Sequence, residues 1–190
     1  MLDKSIPYFN VIMKRPAGNP PPDFLLPEGF SFVWFTEGKE QKWAEIEASV
    51  GEFSNTEDAL SYFQKTYIPF LDELKKRLLF VQDREGNEVG TITCWWDITG
   101  AKRDAAIHLF AVKKEYQCLG LGKALVSECI NRLLQLEGDK AIFLHTQTWS
   151  YKAIGLYLKV GFNIVEEGSF AQYKNEYEQA IPLLKEVIKL

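Results

Sequence analysis

The residues best placed to do chemistry lie between Val112 and Lys123, where Gln117, Gly120 and Gly122 give a Gln-x-x-Gly-x-Gly spacing. Glycine tolerates positive φ and leaves the main chain bare, so a ligand can approach it closely. Leu121, Leu125, Cys129 and Leu133 then recur every four residues, with Val126, Ile130 and Leu134 alongside, which predicts an amphipathic helix. A glycine turn opening onto a helix gathers unpaired N–H groups at a positive dipole end. That is an anion site suited to phosphate. Lys113, Lys114 and Lys123 flank it and add local positive charge.

Spacing discriminates among phosphate loops. A Walker loop needs glycine five positions before Gly122 and Ser or Thr after Lys123, where Gln117 and Ala124 stand. A dinucleotide fingerprint beginning at Gly120 needs Gly or Ala at the position of Leu125. The segment instead resembles the acyl-CoA loop of the GNAT superfamily of N-acetyltransferases. Downstream, Ser150–Phe162, ending Leu156-Tyr157-Leu158-Lys159-Val160-Gly161-Phe162, resembles that superfamily's helix ending in Leu-Tyr-x-Lys-x-Gly-Phe. The resemblance spans roughly residues 88 to 165.

Membership of that superfamily would imply a mixed α/β fold. Helices would lie on both faces of a largely antiparallel central sheet, and the Val89 and Ile107 strands would part as a V. Acetyl-CoA would be the cofactor, held by Phe110, Ala111, Val112, Gln117, Cys118, Leu119, Gly120, Leu121, Gly122, Lys123 and Ser150. The implied reaction is acetyl transfer to a primary amine by direct attack through a tetrahedral intermediate. Tyr157 falls where the family's sulfur-facing tyrosine sits, although helical spacing with Ser150, Ala153 and Ile154 also suits packing. Ser150 replaces the family's usual asparagine and is equally suited to capping a helix.

Asp97 is the acid near the end of the Val89 strand, where some members carry a base; it could equally cap the turn before Thr99-Gly100. Glu47 and His108 are the other base candidates, and strand alternation leaves the face of His108 undecided. The acceptor side would draw on Trp95, Trp96, Gln147, Thr148, Trp149 and Glu47. The acceptor class is a small-molecule or peptide amine. A non-catalytic acyl-CoA-binding module is the alternative function.

Composition bounds these expectations. A chain of 190 residues with 46% hydrophobic and 14% aromatic content can build a core without metals or disulfides. It is expected to form one domain. Residues 1–77 would supply N-terminal strands and acceptor-side helices, 78–165 the acyl-CoA-binding core, and 166–190 a helical tail that packs on the domain or a second copy. A formal net charge of −4 argues against nucleic acid or an anionic membrane as partner. Cys94, Cys118 and Cys129, with only two histidines, give no metal-ligand spacing and suggest reduced thiols in a cytoplasm.

The positioning elements follow from periodicity and breakers. Strands are expected at Tyr8–Met13, Phe30–Phe35, Leu78–Gln82, Val89–Trp96, Ile107–Val112 and Ala141–Leu144. The Pro-rich Arg15–Pro22 piece reads as a surface connector. Helices are expected from Lys39 to Gly51, from Thr56 to Arg77 with Asn55 as cap, from Leu121 to Gly138, and over Ser150–Val160. A terminal helix from Tyr173 is expected to break near Pro182.

Overall fold

Local chemistry sets most helix ends in the computed structural model, which describes residues 2–20 and 22–188. Helix α1 covers Glu40–Ser49 and α2 covers Thr56–Thr66. The Asn55 side chain caps α2 by accepting from the Asp58 N–H at 2.8 Å. Glu57 and Asp58 in its first turn and Lys65 in its last complement the helix dipole. Helix α3 is Leu71–Arg77, α4 is Leu121–Glu137, α5 is Tyr151–Lys159 and α6 is Tyr177–Val187.

The strands are β1 (Asn10–Arg15), β2 (Ser31–Trp34), β3 (Leu78–Gln82), β4 (Glu88–Thr99), β5 (Lys102–Val112), β6 (Ile142–Gln147) and β7 (Asn163–Ile164). They hydrogen-bond in the order β2-β3-β4-β5-β6-β1-β7. Two further strands, β8 (Ser169–Phe170) and β9 (Tyr173–Lys174), form a separate antiparallel hairpin. The fold is thus mixed α/β, a mostly antiparallel sheet flanked by helices.

One parallel pair stands out. Between β5 and β6 the register joins Ala105 to Ile142 and Ala106 to Phe143, and stops there although both strands continue. The Val89 and Ile107 strands, expected to part as a V, are neighbours in the sheet. The short register belongs to β5 and β6. Leu109 explains why β5 changes character: its φ of 38° lies in the left-handed region, where a leucine is strained and the two-residue alternation breaks.

The chain divides into two compact units. One comprises Asp23–Cys94 and Leu109–Cys129; the other comprises Leu2–Pro22, Trp95–His108 and the residues from Ile130 onward. In the first, Trp43 packs 5.0 Å from Phe63 and 5.8 Å from Tyr67, all fully buried. Such aromatic pairs contribute about 0.5–1.5 kcal/mol beyond burial. Gly90 on β4 allows a close approach: a Cβ there would stand 3.2 Å from the Ala111 carbonyl and from Leu125 Cδ1. In the second unit, Ile12, Ala106 and Phe170 form a core joined by Phe143, Val165 and Tyr173.

Several boundaries differ from expectation. Strand β1 runs on through Lys14 and Arg15, and Arg15 is buried, donating to the carbonyls of Val160, Asn19 and Pro20. The Pro-rich piece therefore packs around a guanidinium. Strands β4 and β5 extend to a turn at Gly100, where φ is +62°. The tail forms the β8–β9 hairpin before its helix begins at Tyr177, and Pro182 lies inside α6 without ending it.

Candidate active site

The phosphate-loop candidate lies in the first unit. After β5, a single 3₁₀ turn at Lys114–Tyr116 leads into Gln117, whose Nε2 donates to the Val112 carbonyl at 2.8 Å and ties the loop to the strand it leaves. Cys118 (φ 65°) and Gly120 (φ 93°) are both left-handed. Alternating hands turn successive N–H groups toward one side, the arrangement that binds anions. The first hydrogen bonds of α4 run from the Lys123 and Ala124 N–H groups to the Gly120 carbonyl, leaving the donors of Leu121 and Gly122 ahead of them. Gly122 lies within α4, so of the paired glycines only Gly120 takes positive φ. Cys118 takes the other left-handed position.

The second unit holds the titratable side chains. Asp97, within β4, lies 2.7 Å from His108 Nε2 through Oδ2. That contact answers the question of which way His108 faces, and Asp97 pairs with it rather than capping the Gly100 turn. His108 Nδ1 is buried without a hydrogen-bond partner, a condition that costs about 1–3 kcal/mol when no ligand meets it. A second imidazole, His145 on β6, lies 2.9 Å from Asn10 Oδ1 through Nε2. Its ring stacks on Tyr173 at 3.5 Å between centroids and 4° between planes. Tyr173 is carried by the β8–β9 turn, where Ala171 takes φ 51° and its N–H donates to Thr99 Oγ1 at 3.0 Å.

Burial lowers the His145 pKa to about 4, with the nearby His108 pushing the same way and Asp97 opposing. The native state therefore holds a neutral imidazole that an unfolded chain protonates near 6.5. Its stabilising contribution is complete above that value and is lost as pH falls toward 4. Replacing His145 with Gln should flatten the loss of unfolding free energy between about pH 7 and 4.5 in urea melts, by somewhat less than about 3 kcal/mol because the ring is partly solvated. Identical acid profiles for both proteins would contradict this.

The tyrosine helix α5 also belongs to the second unit. Tyr157 is 6% exposed, and its ring lies 5.8 Å from that of Phe162. The Phe162 and Val160 N–H groups donate to the Tyr157 carbonyl, closing the helix through Gly161 at φ 91°. Ser150 occupies the cap position of α5 but its side chain makes no capping bond. The capping reading of Ser150 therefore fails, and its hydroxyl is not committed to the helix end.

With this geometry in view, the model of the Acetyltransferase (GNAT) family matches residues 40–162. The chain belongs to the GNAT family. An N-alpha-acetyltransferase of Sulfurisphaera tokodaii is 26% identical over 129 residues, covering 62% of this chain and 77% of that protein. A GCN5-related N-acetyltransferase of Sphaerobacter thermophilus superposes with a TM-score of 0.65 at 20% identity, over 82% of this chain and 48% of that one. The chain thus spans about half the length of that protein. A NatC complex solved with Gag peptide and CoA includes a chain that superposes with a TM-score of 0.55 at 21% identity, covering 72% of this chain and 86% of that one. Acetyl transfer is the activity of the family.

Among GNAT acceptor-side candidates, the structure brings some together and disperses others. Trp95 and Trp96 stack at 4.1 Å, and the Arg103 guanidinium covers the Trp96 ring. Trp149 donates its indole N–H to the Ile6 carbonyl at 2.7 Å, while Thr148 donates to Pro7 and accepts from the Phe9 N–H. Those two side chains fasten the N-terminal segment. Gln147, at the end of β6, shares the half-buried face of His145. His145, Asn10 and Tyr173 were missed from sequence. The alternation Phe143, His145, Gln147 along β6 was the one available signal.

Glu47 lies on α1 in the first unit and is 1% exposed. Its Oε1 has no hydrogen-bond partner, and burial, aided by Glu52, pushes its pKa well above the carboxylate range. Burial thus disfavours the charged form that a base would need. A raised native pKa means the unfolded state ionises first, so this site costs stability as pH rises above about 4.3. Glu47→Gln should raise stability more at pH 8 than at pH 4. Urea melts at both pH values test it, and equal changes would refute the buried acid.

Among the described residues no three His, Cys, Asp or Glu side chains gather as a metal-binding group, and no helix is long and apolar enough to cross a membrane. Cys94 and Cys129 are free, buried thiols hydrogen-bonded to each other, and Cys118 is exposed.

Proposed function

We propose that the protein is an acetyl-CoA-dependent N-acetyltransferase acting on a primary amine, and that an α-amino group of a peptide is its most suitable acceptor. The observation that carries the cofactor assignment is the left-handed pair Cys118 and Gly120 ahead of the open N-terminus of α4. Main-chain donors there suit a pyrophosphate, with Lys113, Lys114 and Lys123 nearby in sequence. Phe110–Val112 would pair with the pantetheine amides as an added strand does. Gln117 holds the loop to Val112, and Ser150 offers a hydroxyl to the cofactor in place of the usual asparagine.

The chemistry assigned to the chain has three parts. Main-chain groups of Phe110–Val112 orient the thioester. Tyr157 supports the departing sulfur. The Asp97–His108 pair serves the acceptor nitrogen. A peptide acceptor is supported by the N-alpha-acetyltransferase relative, and an α-amino group, with its reference pKa of about 7.7–8.0, is substantially neutral near pH 7.5. Trp95, Trp96 and Gln147 remain assigned to the acceptor side.

Free-thiol release from acetyl-CoA, followed with a panel of short peptides and small amines and paired with calorimetric titration of coenzyme A, tests the reading. Turnover with at least one amine is expected. Binding without turnover across the panel would instead mark a non-catalytic acyl-CoA module, a reading kept open by the departure at Ser150. Absence of binding would refute both.

A further inference from the structure

We infer that His108, oriented by Asp97, is the group that takes the proton from the acceptor amine; this rests on the acetyl-transfer reading above. The carboxylate can only accept, so the 2.7 Å contact places the ring proton on Nε2 and leaves Nδ1 as a bare lone pair. Nδ1 is buried and meets no donor of the protein. An amine N–H is a donor of the matching kind. Asp97 then faces the side of the ring that becomes cationic, the role of the carboxylate in a carboxylate–imidazole pair. His108 also directly precedes the strained Leu109 on β5, two residues before the Phe110–Val112 segment assigned to the thioester.

The competing groups serve less well. Glu47 is buried, which disfavours its charged form. Asp97 commits Oδ2 to the imidazole. His145 has its Nε2 engaged by Asn10 and its face covered by Tyr173. Asp97 from β4 and His145 from β6 are the titratable groups that face His108, and His145, titrating near 4, stays neutral through the working range.

In the step, the amine lone pair forms the C–N bond at the thioester carbon and one nitrogen-bound proton passes to Nδ1. The C–S bond breaks with its electron pair on sulfur, which accepts a hydrogen bond from the Tyr157 hydroxyl and takes its proton from solvent. Imidazolium then returns its proton to solvent, so the sum is amide plus free thiol.

The test is the pH dependence of kcat/KM on a turned-over peptide amine for the wild-type protein, His108→Asn and Asp97→Asn. The wild type should show an ascending limb as the free enzyme's base loses its proton. His108→Asn should abolish that limb and lower kcat about 100-fold, within the range for general-base loss, with coenzyme A affinity unchanged by calorimetry. Asp97→Asn should lower kcat by less, because the ring loses its orienting partner and keeps its lone pair. Retention of the limb in a folded, cofactor-binding His108→Asn protein would overturn the assignment alone. A wild type inert toward every amine would overturn the acetyl-transfer reading with it.

Discussion

Replacing Gly120 with valine is expected to lower coenzyme A affinity on the order of 100-fold or more, about 3 kcal/mol, in a protein that still folds. The two consequences separate because of where a side chain would point. A Cβ at Gly120 would meet only Pro27 Cγ, at 3.6 Å, an ordinary contact, so the protein itself has room. The backbone penalty comes from φ +93°, a region that β-branched residues avoid, and amounts to about 1–3 kcal/mol of stability. The ligand loses more. A valine side chain stands over the N–H groups of Leu121 and Gly122 and blocks a phosphate from reaching 2.8–3.0 Å, the distance at which such bonds form. Gly120→Ala, with the same backbone demand and less bulk, should lose less affinity. Calorimetric titration with a thermal melt of each variant distinguishes the effects, and a Gly120→Val protein that binds coenzyme A normally would show that the loop is not the phosphate site.

Elements whose cause is local were legible from sequence. Asn55 begins α2 because its side chain accepts the Asp58 N–H, and both residues lie within one turn. Strand β3 has the boundaries its apolar run suggested, and the glycine spacing marked the junction of β5 with α4. Illegible features depend on partners distant in the chain. Arg15 looks like a surface residue beside prolines until the Val160 carbonyl, 145 residues away, accepts from it. The β8–β9 hairpin has two-residue strands and turns on Ala171 rather than glycine, so neither periodicity nor a breaker announces it. Pro182 forgoes one hydrogen bond of α6, yet buried Ala180 and Leu184 hold the helix on either side.

The candidate site divides along the same line. The loop proposed to hold the cofactor is contiguous, so Gln117 through Lys123 were legible as one stretch. The cluster around the proposed base is assembled from β1, β4, β5, β6 and β9, which contribute Asn10, Asp97, His108, His145 and Tyr173. No spacing in sequence brings those five side chains together. Asp97 and His108 were both visible as candidate bases, but as rivals. Geometry makes them one unit, because each satisfies the other.

Tyr157→Phe is expected to lower kcat about 10- to 100-fold on a turned-over amine while leaving the KM for acetyl-CoA nearly unchanged, in a protein that still folds. Phenylalanine retains the ring that packs against Phe162 and fills the same volume in α5, so the core is spared. Only the hydroxyl is lost. Its full proton transfer to a departing thiolate costs about 2 kcal/mol by reference pKa values of about 10 and 8.5, which limits the gain from outright donation. A hydrogen bond that strengthens as charge accumulates on sulfur carries no such cost, because the proton stays on the phenol. That difference sets the modest size of the expected loss and predicts its dependence on the leaving group. With an acyl donor whose thiol is more acidic than coenzyme A, the wild-type and Tyr157→Phe rates should converge. Equal turnover with acetyl-CoA itself would assign Tyr157 to packing, and a loss that persisted undiminished with the better leaving group would place its action at another step.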